Sequence, residues 1–248
     1  MNILIVGING RMGQVLSKTV SLDSELTLVC GVDKFVGNNN EIKVYSSCKD
    51  VTEKVDCIID FSNHESVKDY LPFAIKNNCA VVIASTGFND EELELINNAS
   101  KTIPVLKSGN MSLGVNLILQ LSKMAAKVLG NKADIEIVEQ HHNKKTDAPS
   151  GTALLLADGI KEVIPSLETN VGRNGLSPRK QNEIGISAVR GGTIIGKHEV
   201  MFIMDNEVVT IKHEAESRQI FANGAVTAAK FLVNKPAKLY SMEDIFNS

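Results

Sequence analysis

No two cysteines stand at Cys-x-x-Cys spacing, and the four present, Cys30, Cys48, Cys57 and Cys79, all fall in the first third of the chain. That pattern argues against a disulfide framework or a structural zinc site and fits reduced thiols of a cytoplasmic protein. No apolar run approaches the roughly 20 residues that a membrane helix needs, so no membrane partner is expected. A basic excess is also missing. The 26 Lys and Arg face 29 Asp and Glu, for a net charge of -3, which argues against nucleic-acid binding. Met1-Asn2 runs straight into apolar residues without a basic leader or cleavage site, which again points to the cytoplasm. There is no internal repeat and no low-complexity segment; the short Asn38-Asn39-Asn40 run reads as a loop. What remains is a chain of 248 residues, 43% hydrophobic and 22% charged, long enough for one large or two modest domains.

Ile3-Leu4-Ile5-Val6, closed by Gly7, reads as a buried parallel strand. Residues 12–22 carry apolar side chains at helical spacing. Strands are predicted at 26–32, 57–61, 80–84 and 103–106, with helices at 65–76 and 90–99. This alternation predicts a doubly wound α/β domain. The pattern changes near Met111. A long helix at 113–129, a strand at 134–139 and a helix at 152–163 follow, and 165–180 reads as a surface loop. Strands at 183–190, 193–204 and 207–213 are separated by Gly191-Gly192 and Asp205-Asn206, which suggests antiparallel hairpins. A last helix is predicted at 221–233. The expectation is a Rossmann-type parallel sheet followed by an α+β domain with an open mixed sheet, whose edges self-association can cover.

Gly7, Ile8, Asn9, Gly10, Arg11, Met12 and Gly13 lie between the first strand and the first helix. Glycines there admit a pyrophosphate to the backbone, and the helix N-terminus offers N–H groups and a positive dipole end. The G-x-x-G-x-x-G spacing is weak alone. It gains weight from Asp33, twenty residues after Gly13 at the end of the second strand, where a ribose-binding carboxylate belongs. The alternatives are a ligand-free turn and an ordinary surface acid. Lys34 and Arg11 can offset the repulsion between Asp33 and a 2′-phosphate, so both NADH and NADPH stay open. Ala84, Ser85 and Thr86 end one strand, and Ser108, Gly109, Asn110 and Met111 end the next. Ligands bind at such carboxyl ends, so these are candidate nicotinamide contacts, with simple turns as the alternative.

The richest stretch runs from Glu139 to Thr152 and includes His141, His142, Lys144, Lys145, Ser150 and Gly151. Histidine suits proton donation near neutral pH, and lysine supplies charge for a carboxylate. Ser150 can cap the helix that follows, while the Gly151 and Thr152 N–H groups and the Thr152 hydroxyl can bind an anion. The set fits a small acid with more than one carboxylate. Separately, each piece also fits a plain helix start, a surface loop or a solvated patch. No metal is expected, because the histidines are adjacent and no cysteine joins them.

Gly-x-x-Gly-Arg-Met-Gly and Glu-x-His-His-x-x-Lys-x-Asp-Ala-Pro-Ser-Gly-Thr-Ala together resemble the dihydrodipicolinate reductase family, also called 4-hydroxy-tetrahydrodipicolinate reductase. Ser-Thr-Gly-Phe at 85–88, Gly-Val-Asn at 114–116, Arg-Gly-Gly at 190–192 and Phe-Ala-Asn-Gly-Ala at 221–225 extend the resemblance over nearly the whole chain. It implies reduction of a small dicarboxylate with NADH or NADPH in the diaminopimelate route to lysine, with hydride reaching ring C4 of a conjugated imine. His141 matches the proton donor and Lys145 the second catalytic position. His142, Gly151 and Thr152 match substrate contacts. Residues 7–12, Asp33, Lys34, 84–86 and 108–111 match cofactor contacts. The resemblance further implies a dinucleotide domain of residues 1–111 and 218–248, a substrate and assembly domain of 112–217, and a homotetramer. Ala84 and Thr146 depart from the usual Gly and Val, which bears on cofactor preference rather than on the reaction. Against this stand two alternatives, another Rossmann oxidoreductase such as an amino-acid or semialdehyde dehydrogenase, and a non-catalytic redox sensor.

Overall fold

The computed structural model describes residues 1–36, 42–130 and 132–247; the Asn38-Asn39-Asn40 loop lies outside them. Two compact units emerge, one of Met1–Leu113 with Arg218–Ser248, the other of Gly114–Ser217.

In the first unit the strands are β1 (Asn2–Val6), β2 (Thr27–Val32), β3 (Val44–Tyr45), β4 (Cys57–Asp60), β5 (Ala80–Ile83) and β6 (Pro104–Lys107). The helices are α1 (Arg11–Leu22), α2 (Val67–Asn77) and α3 (Asp90–Ser100). Alternate residues of β1 feed two cores. Ile3 and Ile5 pack with Leu16 and Val20 of α1, whereas Leu4 and Val6 pack with Tyr70 and Leu71 of α2 and Ile96 of α3. Burial on both faces is why these strands read as unbroken apolar runs. β1 pairs in parallel with both β2 and β4, so the strand order reverses there, and the carboxyl ends of β1 and β4 frame the crevice where open α/β sheets take ligands.

The last stretch of chain completes this unit. Small residues of a helix at Gln219–Leu232, numbered α6 in chain order, including Ala222, Ala225 and Ala229, fill the α1 side of the sheet. Past it, a strand at Lys238–Tyr240 (β12 in chain order) adds to β6, and Ser241 caps a short final helix (Met242–Phe246). Neither of these two elements nor β3 is anticipated from the sequence, because each is too short to show a period. All four cysteines are buried and free. Burial pushes the Cys30 thiol up to about 12 and that of Cys79 to about 11.

The second unit contains α4 (Leu113–Leu129), β7 (Asp134–His141), α5 (Gly151–Val163), β8 (Glu168–Val171), β9 (Glu183–Arg190), β10 (Gly196–Ile203) and β11 (Val208–Ala215). Its sheet has the order β11-β10-β7-β9-β8. Ile135, Ile137, Ile184, Ile186, Val200 and Phe202 face Ile118, Leu119, Leu156 and Ile160 of the two helices. Two expectations are corrected. The Gly191-Gly192 turn does not close a hairpin: β9 lies parallel to β7, and β10 pairs with the other edge of β7. Its alternating apolar face is satisfied equally beside either neighbour, so a local turn signal cannot choose. The stretch 165–180 is not all loop, since β8 adds a polar edge strand to β9. Asp205-Asn206 does turn a hairpin, with Ile203 opposite Val208.

Gly224 of α6 sits so close to the chain crossing at Met111 that a Cβ there would stand 1.7 Å from the Met111 carbonyl oxygen. Gly224→Ala is therefore expected to lower unfolding stability by about 1–3 kcal/mol, as overpacking does. Urea melts of the two proteins check it, and equal midpoints would contradict this close docking.

Candidate active site

At the end of β1 the backbone turns back sharply. Gly7 has φ 79, and its carbonyl accepts the Gly10 N–H at 3.0 Å. A Cβ on Gly13 would lie 2.1 Å from the Gly7 oxygen, so the first turn of α1 can close on the loop only through glycine. Gly10 stands at the N-cap of α1 without a side-chain cap, leaving the helix N-terminus to the backbone alone. Asp33, just past β2, accepts the Asn9 N–H at 3.0 Å and the Phe35 N–H at 3.1 Å. The glycine loop and the acid are thereby tied into one rim. A cavity of about 600 Å³ opens there, lined by Gly7, Asn9, Gly10, Asp33, Lys34 and Ser62 among others. The cradle that a Cβ would fill and the carboxylate at its rim fit a dinucleotide.

The other nucleotide candidates divide by burial. Ile8 and Met111 lie in the α1-side core, where Ala84 and Met12 also pack, so Ile8 and Met111 can offer a ligand only backbone atoms. Lys34 is exposed and lies 3.6 Å from Glu65; Arg11 heads α1 and is exposed. A Cβ on Gly109 would touch the Thr86 methyl at 3.5 Å, so the 84–86 and 108–111 segments are neighbours. Ser108 Oγ donates to the Asn110 carbonyl and accepts the Asn110 N–H, which shapes that loop. Asp60 lies outside the sequence motifs. It ends β4 fully buried and accepts hydrogen bonds from Ser85 (2.5 Å), Tyr70 (3.1 Å) and the Ser62 N–H (2.8 Å). Burial outweighs these donors and raises its carboxyl above the usual range. An acidic residue closing the apolar run Cys57-Ile58-Ile59 was the available signal.

In the second unit His141 is the last residue of β7, and its Nδ1 lies 2.6 Å from Oε2 of Glu139. Glu139 is fully buried. Its carboxylate also accepts the Ser150 N–H and both terminal nitrogens of Arg190. Burial alone would raise the Glu139 carboxyl; Arg190, His141 and the Ser150 N–H together hold it below the usual range. His141 itself is lowered, because burial outweighs the attraction of Glu139. Ser150 caps α5, its hydroxyl accepting the Ala153 N–H and lying 3.0 Å from His198 Nε2. Gly151 heads α5, and a Cβ there would meet nothing within 4 Å, so space beside it is open. Lys145 donates to both oxygens of Asp147 at 2.8 Å. The Nδ1 of His142 is buried with no partner among the described residues, an atom suited to a ligand. The structure thus gathers His141, Lys145 and Ser150 about a Glu139–Arg190 pair. Neither Arg190 nor His198 had been given a role from sequence; the Arg-Gly-Gly run was the signal for the first. Among the described residues no cluster of three His, Cys, Asp or Glu could hold a metal ion, and no helix is long and apolar enough to cross a membrane.

These two units define a nicotinamide-dependent oxidoreductase, the first built around a Rossmann-type crevice and the second around a histidine held by a buried carboxylate. Comparison with known proteins makes this particular. Models of the dihydrodipicolinate reductase N-terminus and C-terminus match residues 1–111 and 114–246, and the chain belongs to that family. It is 50% identical over 247 residues to the 4-hydroxy-tetrahydrodipicolinate reductase of Caldanaerobacter subterraneus subsp. tengcongensis, covering 99% of this chain and 98% of the other. The Clostridium tetani protein of the same name is 43% identical, with 100% and 98% covered. Among solved structures, dipicolinate-bound dihydrodipicolinate reductase from Paenisporosarcina sp. TG-14 superposes with a TM-score of 0.84 at 26% identity over 99% of each chain. A probable dehydrogenase from Thermotoga maritima, at 12% identity and a TM-score of 0.63 with 99% of this chain and 92% of that one covered, shares the fold.

Burial lowers His198 to about 4, below the roughly 6.5 of an unfolded histidine. The unfolded chain therefore binds the extra proton between those values. The His198 contribution to stability is complete above pH 6.5 and is lost as pH falls toward 4, by up to roughly 3 kcal/mol. Chemical denaturation across that window should show a shallower pH slope for His198→Gln than for the native protein; parallel slopes would contradict a neutral buried His198.

Proposed function

We propose that the chain reduces 4-hydroxy-tetrahydrodipicolinate, by way of dihydrodipicolinate, to tetrahydrodipicolinate with NADH or NADPH, in the diaminopimelate route of lysine biosynthesis. The observation that carries the reading is His141, set at a strand end with one ring nitrogen committed to a buried carboxylate and the other left to exchange a proton. The full-length relatives named for this reaction support it.

The chemistry that a bound nicotinamide dinucleotide would supply is a hydride for ring C4 of the conjugated imine. The chain supplies everything else. In the first unit, which takes the role of dinucleotide domain, residues 7–12 hold the pyrophosphate on the N-terminus of α1, and Asp33 and Lys34 take the ribose. Residues 84–86 and 108–111 take the nicotinamide end. In the second unit, Lys145, His142, Ser150, Gly151 and Thr152 hold the two substrate carboxylates by charge and N–H donation. The Lys145–Asp147 pair lies at the protein surface (Asp147 side chain 57% exposed), so an arriving carboxylate can draw the ammonium toward itself. His141, protonated, then gives its proton to the developing enamine, balancing the hydride with one H⁺. We further place the protein in the cytoplasm as a homotetramer that uses the half-exposed face of the five-stranded sheet.

Turnover is followed by loss of NADH or NADPH absorbance while a synthase condenses pyruvate and aspartate semialdehyde to supply the unstable substrate. His141→Gln should lower turnover 10²–10⁴-fold, the range of a lost general acid, and Lys145→Ala should raise KM as well as lower kcat. Oxidation that is independent of the synthase, or unchanged in His141→Gln, would refute the reading.

A further inference from the structure

One complete ion pair is drawn into the second unit beside His141, and the functional reading above uses only the contact its carboxylate makes with that ring. All four in-plane acceptor positions of the Glu139 carboxylate are filled. Oε1 takes the Ser150 N–H at 2.9 Å and Arg190 Nη2 at 2.7 Å. Oε2 takes Arg190 Nη1 at 2.8 Å and His141 Nδ1 at 2.6 Å. Arg190 is itself fixed, since Nη2 also donates to the Asp147 carbonyl at 2.7 Å. Behind it, the Gly191 N–H donates to the His141 carbonyl at 2.9 Å, which pins β9 to the end of β7.

We infer that Glu139 and Arg190 are the positioning residues of the reaction: Glu139 holds the His141 proton at Nδ1 so that Nε2 alone exchanges with substrate, and the Arg190 fork fixes the plane of that carboxylate. The inference rests on the assignment of His141 as proton donor. An ionised carboxylate can only accept, so the nitrogen facing it must carry a hydrogen, and the other ring nitrogen is then the one that gains and loses its proton. Gly196 of β10 lies against that side, where a Cβ would stand only 3.1 Å from Nε2, so the absence of a side chain there is what keeps the nitrogen clear. The charged and titratable groups around the ring are few: Glu139 on its own strand, Arg190 on β9, Lys145 and Asp147 in the loop after β7, and His198 on β10 with its ring edge-on at a centroid distance of 5.2 Å. His213 of β11 stands opposite His198. Burial keeps His198 neutral and also lowers His213, so the field on His141 is set by Glu139 against Arg190 and Lys145.

Replacing Glu139 by glutamine separates positioning from packing. An NH₂ at the Oε1 place would face two donors, Ser150 N–H and Arg190 Nη2. At the Oε2 place it faces one, Arg190 Nη1, and can donate to His141 Nδ1 once the ring proton moves to Nε2. The second arrangement wins, and the tautomer inverts.

The test is histidine-ring ¹⁵N NMR of the full chain without substrate or dinucleotide, with His141 identified by the signals lost in His141→Gln. In the native protein, neutral His141 should carry its hydrogen on Nδ1, and in Glu139→Gln on Nε2. Kinetically, Glu139→Gln should lower kcat on the order of 10²-fold with KM held within about threefold, and move the alkaline limb of the kcat profile to lower pH. Arg190→Gln, which removes a cation and leaves the carboxylate, should move that limb to higher pH. Opposite displacements are not what general loosening produces. An Nε2–H tautomer in the native protein overturns the inference, even if neither variant folds. So do limbs displaced in the same direction or not at all. A native spectrum of the expected form from a protein that does not turn over the condensed substrate would instead refute the proposed reaction and leave the positioning intact.

Discussion

A carboxylate sealed inside a sheet is the constraint on which the second unit is arranged. Glu139 has no exposure to solvent, and an isolated charge there would cost several kcal/mol. It is tolerated because β7 brings it beside His141, β9 brings Arg190, and the start of α5 brings the Ser150 N–H. Three separate elements therefore have to meet at one group. That requirement explains the parallel placement of β9 on β7, which a hairpin between β9 and β10 would not satisfy. It also explains why the loop between β7 and α5 is held close, since Arg190 reaches the Asp147 carbonyl within it.

In the first unit a weaker but comparable logic applies. The carboxylates Asp33 and Asp60 end neighbouring parts of the sheet, yet they are treated differently. Asp33 is half-exposed and accepts from two backbone N–H groups, which leaves its outer lone pairs for a ligand. Asp60 is surrounded by Ser62, Tyr70 and Ser85, and its work is to hold together the carboxyl ends of β4 and β5. The same residue type thus serves as a rim contact in one place and as an internal tie in the other, and only burial separates the two.

How far the sequence alone reached follows from which interactions are local. The βα alternation, the glycine turn and the acid after β2 depend on residues close in the chain, and they were readable. So was the Glu139–Thr152 stretch, because its strand end, loop and helix start are consecutive. Arg190 meets Glu139 across 51 positions, and His198 meets Ser150 across 48; no periodicity announces such pairs. Strand order in the mixed sheet was misread for the same reason. Gly191-Gly192 has turn chemistry, but the turn carries the chain across to the far edge of β7 rather than back onto β9. β8 and β12, with four and three residues, are edge additions, the first read as loop for its polar side chains and the second too short to show a period.

The placement of α6 has a consequence for how the protein is made. The second unit is one uninterrupted segment, 114–217, whereas the nucleotide sheet lacks Ala222, Ala225, Ala228 and Leu232 of its core until the final stretch of chain is available. On a ribosome, where chains emerge from the N-terminus, the half that starts first is therefore finished last. Between those moments β4, β5 and β6 lack the helix that covers their α1 side, while the whole of 114–217 has already been made. Quality control during synthesis, and any C-terminal truncation, would bear first on the core of the nucleotide sheet, to which the Glu139 centre contributes no residue.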